Sequence, residues 1–126
     1  MEPPTFEQSV SHAREILRGA RHAVAFTGAG ISTPSGIPDF RSKNTGMWER
    51  YNPMETASLT VFRTNPQRFW DWKRPLMLQM WAAQPNPAHL ALARLEQCGL
   101  LKAVITQNID GLHQRAGSHT VLEVHG

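Results

Sequence analysis

The sequence predicts an α/β fold built on a doubly wound parallel sheet. Two observations carry that expectation. Apolar runs of strand length alternate with segments bearing an apolar stripe at helical spacing, which is the order from which parallel sheets are built. Each run is also followed at once by a polar motif, and in open parallel sheets ligands gather beyond the carboxyl ends of the strands. The runs are 22–27 (HAVAFT), 101–106 (LKAVIT) and 121–124 (VLEV). The first two read as buried strands, and right-handed crossovers should join the set.

The elements follow in order. Thr5 with Gln8 forms a capping box, and Phe6, Val10, Ala13 and Leu17 then share one helical face until Gly19 stops the helix. The first strand breaks at Gly28-Ala29-Gly30. Residues 31–65 are rich in Ser, Thr, Pro, Gly and Asn without clear periodicity, so a long connection is expected, a kind that is often functional. Asn65-Pro66 starts a helix, with Phe69, Trp72 or Lys73, and Leu76 at helical spacing, and Pro75 should kink or end it. Asn86-Pro87 repeats the start signal; Ala88, Leu92 and Leu95 mark a face, and Gly99 closes the helix. After the second strand, 111–116 reads as a helical turn closed by Gly117.

Composition narrows the function classes. At 126 residues, 40% hydrophobic and 18% charged, the chain suits one folded domain. The net charge of +3 is scattered, with no basic stripe interleaved with aromatics, so no nucleic-acid partner is expected. The single cysteine, Cys98, excludes an internal disulfide and a cysteine zinc cage within these residues, and reads as a small buried thiol. No run is apolar and long enough to cross a bilayer, and Met1-Glu2-Pro3-Pro4 lacks the basic head and apolar stretch of a leader. A cytoplasmic setting without a membrane partner follows as the expectation.

Three motifs close the three strands. Gly28 and Gly30 form G-x-G, which lets a pyrophosphate approach main-chain N–H groups, although Thr33 stands where a third glycine is usual and no strand precedes Glu49. A tight turn is the plain alternative. Gln107-Asn108-Ile109-Asp110 follows the second strand and would serve equally as a helix cap. His125-Gly126 follows the third, and a lone histidine there would otherwise be a polar surface residue. The remaining histidines (His12, His22, His89, His113, His119) read as structural or solvated, with His113 singled out as part of the second motif.

The longer strings carry more. The run 28–41 (GAGISTPSGIPDFR), the run 106–113 (TQNIDGLH) and the run 123–126 (EVHG) resemble, in order and spacing, the signatures of the sirtuin (Sir2) family of NAD-dependent protein lysine deacylases. The resemblance implies a partial Rossmann-like sheet with a helical cofactor-loop segment. The chain is then an amino-terminal part of a catalytic domain, with a helical and loop insertion at about 31–85, truncated before a zinc module. It implies NAD as cofactor, with zinc only in a further carboxy-terminal part that carries the family's four cysteines. Its cofactor-binding residues would be Gly28, Ala29, Gly30, Ser32, Ile37, Phe40, Arg41, Gln107, Asn108, Ile109, Asp110 and His125. Among these, Arg41 reaches toward the cofactor, Phe40 covers the nicotinamide, Gln107 orients the ribose hydroxyls, and Asn108 with Asp110 forms the nicotinamide pocket. The catalytic residues would be His125 and Asn108, with His125 the base. The implied substrate is an acyl-lysine protein or peptide. The implied reaction is attack of the acyl oxygen on the ribose carbon with loss of nicotinamide, giving free lysine and O-acyl-ADP-ribose. Two other functions stay open: a non-catalytic NAD-binding remnant, and an NAD-dependent protein ADP-ribosyltransferase.

The resemblance also bears on the acyl group. Family members that favour acidic acyl groups carry a Tyr-x-x-Arg pair in the helical segment after the cofactor loop. Gap-free alignment puts Lys73 and Leu76 at those positions, so a neutral acyl group, acetyl above all, is expected.

Overall fold

The computed structural model describes residues 3–126; Met1 and Glu2, the start of the segment read as lacking a leader, lie outside the described residues. Helix α1 (Phe6–Gly19) is set by its own capping box: the Gln8 N–H donates to Thr5 Oγ1 at 3.3 Å and the Thr5 N–H to Gln8 Oε1 at 2.9 Å. It contains no buried residue, and Phe6 is 80% exposed. Local capping and propensity therefore define this helix, since no packed face does.

Strands β1 (Ala23–Thr27), β2 (Leu101–Thr106) and β3 (Val121–Glu123) form a parallel sheet in the order β1-β2-β3. Register aligns the carboxyl ends: Thr27 pairs with Thr106, and Thr106 with Glu123. The three following motifs therefore emerge along one edge. β2, with neighbours on both sides, has Leu101, Ala103, Val104 and Thr106 buried. β1 departs from the expected buried strand. Side chains alternate across a sheet, and Val24 and Phe26 point to a face left open, at 54% and 66% exposure.

Residues 31–65 are more ordered than their composition suggests. They hold a 3₁₀ helix (Ala29–Ser35), a second (Met47–Glu49), and helices α2 (Pro53–Thr56) and α3 (Leu59–Thr64). Each is too short to show periodicity, and the two α-helices are set by caps, Asn52 accepting from Met54 N–H and Ser58 from Val61 N–H. Helix α4 (Pro66–Ala82) runs through Pro75 rather than ending there. One missing N–H is tolerated because the helix is held on both sides of it: Asn65 caps the start, Leu76 is buried, and Trp72 packs against the core. Helix α5 (Pro87–Gln97) packs on β2 and on the short α6 (Leu112–Arg115). Cys98 is exposed, contrary to the buried reading, because it is the C-cap of α5 and lies beyond the helix's packed stretch.

Ile37, Met47, Leu76, Ala83 and Leu112 form the core cluster, joined by Trp48, Trp72 and Met80. It ties the irregular segment, α4 and α6 together. Among the described residues no helix is long and apolar enough to cross a membrane.

Candidate active site

The site begins with the glycines after β1. The backbone leaves the strand at Gly28 in an extended conformation and enters the 3₁₀ helix 29–35, which Gly36 closes at φ 87°. Gly36 is thus the glycine the turn requires. Gly28 and Gly30 serve differently. A Cβ at Gly28 would meet only the Gln107 side chain, at 3.9 Å, and one at Gly30 nothing within 4 Å. They leave the adjoining space open without being forced by crowding.

That space is a cleft of about 240 Å³ lined by Ala29, Gly30, Asp39, Phe40, Arg41, Gln107, Asn108 and His125. A deeper, more apolar cleft of about 90 Å³ adjoins it, and here Ser32, Ile37, Lys73, Leu76, Ile109 and Asp110 join Ala29, Phe40, Gln107 and Asn108. The twelve residues read from the motifs thus gather around two connected spaces, with Gly28 just behind them. Phe40, 40% exposed, lies on the wall they share. Ile37 belongs to the core and touches the deeper cleft from below. A further cavity of about 140 Å³ lies beside Arg50, Tyr51 and Trp72 and shares only Pro38 with the motif strings.

A buried polar network fixes the floor. The Ser32 hydroxyl donates to Asp110 Oδ2 at 2.6 Å and accepts from Asn108 Nδ2 at 3.2 Å. Asn108 Nδ2 also donates to the Gly28 carbonyl at 3.0 Å, tying the second motif to the first. Asp110 Oδ1 accepts the N–H of Leu112, the first residue of α6, at 3.0 Å. His89, fully buried, completes the set. Its Nδ1 accepts the Asn86 N–H at 3.2 Å, so the neutral ring carries its proton on Nε2, 3.5 Å from Ser32 Oγ. Asn86 in turn donates to the Ile31 carbonyl at 2.7 Å and to Ser35 Oγ at 2.9 Å.

His113 packs edge-on against His89 with ring centroids 4.9 Å apart, and its Nε2 lies 2.9 Å from Thr27 Oγ1. Its buried Nδ1 has no partner among the described residues, which favours the tautomer whose proton sits on Nε2, leaving a bare acceptor at Nδ1. Burial pushes both imidazoles below the ordinary value, and His89 pushes His113 further down; the Asp110 charge opposes this at both. The pair is therefore neutral near pH 7.

His89, Asn86 and Thr27 also belong to this network, although none of them lies in the motif strings. One signal pointed to them: His89 occupies the third position of a helix started by Asn86-Pro87, where a side chain can return to the cap N–H. Among the described residues no group of three or more His, Cys, Asp or Glu side chains could hold a metal ion.

The Sir2 family matches residues 28–126. An NAD-dependent protein deacylase 2 of Archaeoglobus fulgidus is 54% identical over 120 residues, covering 95% of this chain and 47% of the relative. An NAD-dependent protein deacylase of Aeropyrum pernix is 53% identical over 119 residues, covering 94% and 48%. Among solved structures, one described as giving the structural basis for the mechanism and regulation of Sir2 enzymes superposes with a TM-score of 0.87 at 55% identity, covering 96% of this chain and 47% of its own. The crystal structure of a Sir2 homolog–NAD complex superposes with a TM-score of 0.81 at 46% identity, covering 92% and 45%. The chain spans about half the length of the curated relatives it matches.

Proposed function

The chain belongs to the Sir2 family, and from that premise we propose that its protein is an NAD-dependent protein lysine deacylase using the paired clefts described above. The observation that carries the reading is the convergence of three separate strand-end motifs on one space. The Ser32–Asp110–Asn108 network lies at its floor and His125 on the wall of its outer cleft.

The residues suit NAD. Arg41 brings a fixed cation to the outer cleft, and a guanidinium matches a diphosphate. Ala29 and Gly30 add little bulk at the first turn of a helix, where N–H groups lack internal partners. The deeper cleft offers apolar walls with one carboxylate, Asp110, and two amides, Gln107 and Asn108, a match for a carboxamide ring. When bound, NAD supplies an electrophilic ribose carbon with nicotinamide as leaving group.

The chain's own groups have distinct tasks. Asn108 and Asp110, immobilised by Ser32 and by backbone, hold the carboxamide, with Ile109 as apolar surface. Gln107 orients ribose hydroxyls. Phe40 screens the reacting centre from water. His125 would take a proton from a ribose hydroxyl through an imidazole nitrogen. Residues 31–85 act as the helical and loop insertion that carries the cofactor loop. The substrate is an acyl-lysine protein or peptide, and the lone Cys98 suits a reducing, cytoplasmic setting.

The acyl group is neutral in this reading. Lys73 and Leu76 both line the deeper cleft, but Leu76 is part of the core and offers no partner to an acyl carboxylate. Lys73 Nζ sits 5.8 Å from the Trp72 ring centroid, engaged with that ring.

The test uses the full-length protein with NAD and matched acetyl- and succinyl-lysine peptides. Acetyl should give the higher kcat/KM, and His125→Ala should lower turnover by roughly 10²-fold or more with NAD binding little changed. Activity of His125→Ala within a few-fold of the unsubstituted enzyme removes His125 from the base role. ADP-ribosylated protein as the main product would replace deacylation with transfer.

A further inference from the structure

The segment 39–48 closes on itself, and we propose that Gly46 is the positioning residue that sets how Phe40 and Arg41 are presented to the cleft. The inference rests on the reading of that segment as cofactor-facing. Two arms are knitted together. The Ser42 N–H donates to Asp39 Oδ1 at 2.9 Å, and the Ser42 hydroxyl donates to Asp39 Oδ2. The Gly46 N–H donates to the Ser42 carbonyl at 2.7 Å, the Met47 N–H to the Asp39 carbonyl at 2.8 Å, and the Trp48 N–H to the Phe40 carbonyl at 3.0 Å.

Gly46 is buried where the arms meet. Its φ of −65° and ψ of 150° are open to any residue, so conformation does not demand glycine there. Space does. A Cβ at Gly46 would lie 2.7 Å from Ser42 N, 2.8 Å from Ser42 O and 2.9 Å from the Arg41 carbonyl carbon. All three are main-chain atoms, so no rotamer change relieves the overlap, and the arms must part.

Which arm yields is decided by anchoring. Met47 is 7% exposed within the core, and Trp48 packs against the same core and stacks on Trp72 at 6.2 Å. Phe40, Arg41 and Ser42 are exposed, and Phe40 is held mainly by its 5.2 Å contact with Trp48. A side chain at Gly46 therefore displaces the arm bearing Phe40 and Arg41 and leaves the core arm in place. Displacements on the order of 1 Å at such groups cost up to about 10²-fold in catalysis.

The experiment compares Gly46→Ala and Ser42→Ala with the unsubstituted full-length protein. Steady-state constants for NAD, the melting temperature, and site-resolved trypsin cleavage are measured. Gly46→Ala should raise the KM for NAD about tenfold or more and speed cleavage after Arg41 and Lys43 selectively, with melting shifted by only a few degrees. Ser42→Ala, which removes only the hydroxyl bond to Asp39, should move the same quantities less. Unchanged NAD constants and cleavage in both variants overturn the proposal. So does cleavage accelerated equally at all sites with NAD constants unmoved, since that assigns Gly46 to stability alone. Arg41→Ala separates the premise. If it leaves the KM for NAD unchanged, the cofactor-facing reading fails; if it raises KM while Gly46→Ala does not, only the role of Gly46 fails.

Discussion

At the scale of single residues, Asp110 illustrates how a side chain can be legible while its partners are not. It stands out in the string Asn108-Ile109-Asp110, and its place after a strand suggests both a cap and a ligand group. Both of its oxygens are already engaged, Oδ2 by the Ser32 hydroxyl and Oδ1 by the Leu112 N–H. Asp110→Asn keeps one acceptor and replaces the other with a donor, so one of these bonds is lost and the charge with it. Nicotinamide inhibition and base exchange should weaken about tenfold or more, the scale of one charge-assisted hydrogen bond, while ADP-ribose binding changes less. Inhibition curves and calorimetric titration measure the two, and an equal loss in both would make Asp110 a structural residue only. The motif residues were readable because the longer strings 28–41, 106–113 and 123–126 resemble a family's signatures; singly they would pass as a turn, a cap and a surface histidine. His89 was not, because a buried histidine acquires its role from what packs around it, here Ser32 from 57 positions earlier in the chain.

At the scale of elements, the strands, α1 and α5 lie where the sequence periodicity puts them, and β2 matches its apolar run residue for residue. The segment 31–65 did not, since helices of three to seven residues are decided by caps and by contact with the core. β3 has a similar hidden support. It spans only Val121–Glu123, and the chain entering it is held by Glu96 of α5, whose two carboxylate oxygens accept the His119 and Thr120 N–H groups, each at 2.8 Å. Glu96→Gln turns one acceptor into a donor facing an N–H. It should cost about 0.5–1.5 kcal/mol, the net range for one hydrogen bond at a solvent-accessible position, in urea unfolding of the full-length protein. Amide exchange should quicken at His119 through Glu123 while β1 and β2 keep their protection. Because β3 leads directly to His125, turnover should fall with it; unchanged exchange in this segment would show that Glu96 does not hold the strand.

At the scale of the whole molecule, the parallel sheet and the edge on which the motifs meet were readable, whereas the buried joint between the layers was not. His89 and His113 form that joint: through Asn86, Ser32 and Thr27 they connect α5, the 3₁₀ helix after β1, β1 itself and α6. Both imidazoles lie below the ordinary value of 6.5, chiefly through burial, with the Asp110 charge opposing. The sign of the linkage follows. Below pH 6.5 the unfolded chain takes up protons that the folded chain refuses, so the unfolded state binds more protons and stability rises with pH. The contribution is fully present above 6.5 and is lost as pH falls through the unfolded value toward the folded one. The urea midpoint of the full-length protein should therefore decline between about pH 7 and pH 5. His113→Gln removes one titrating ring and the repulsion it shares with a charged His89, while an amide N–H can still donate to Thr27. Its midpoint should be lower at pH 7, because the edge-on ring packing is lost, yet should fall less steeply toward pH 5. A slope equal to that of the unsubstituted protein would show that acid unfolding is governed by other groups.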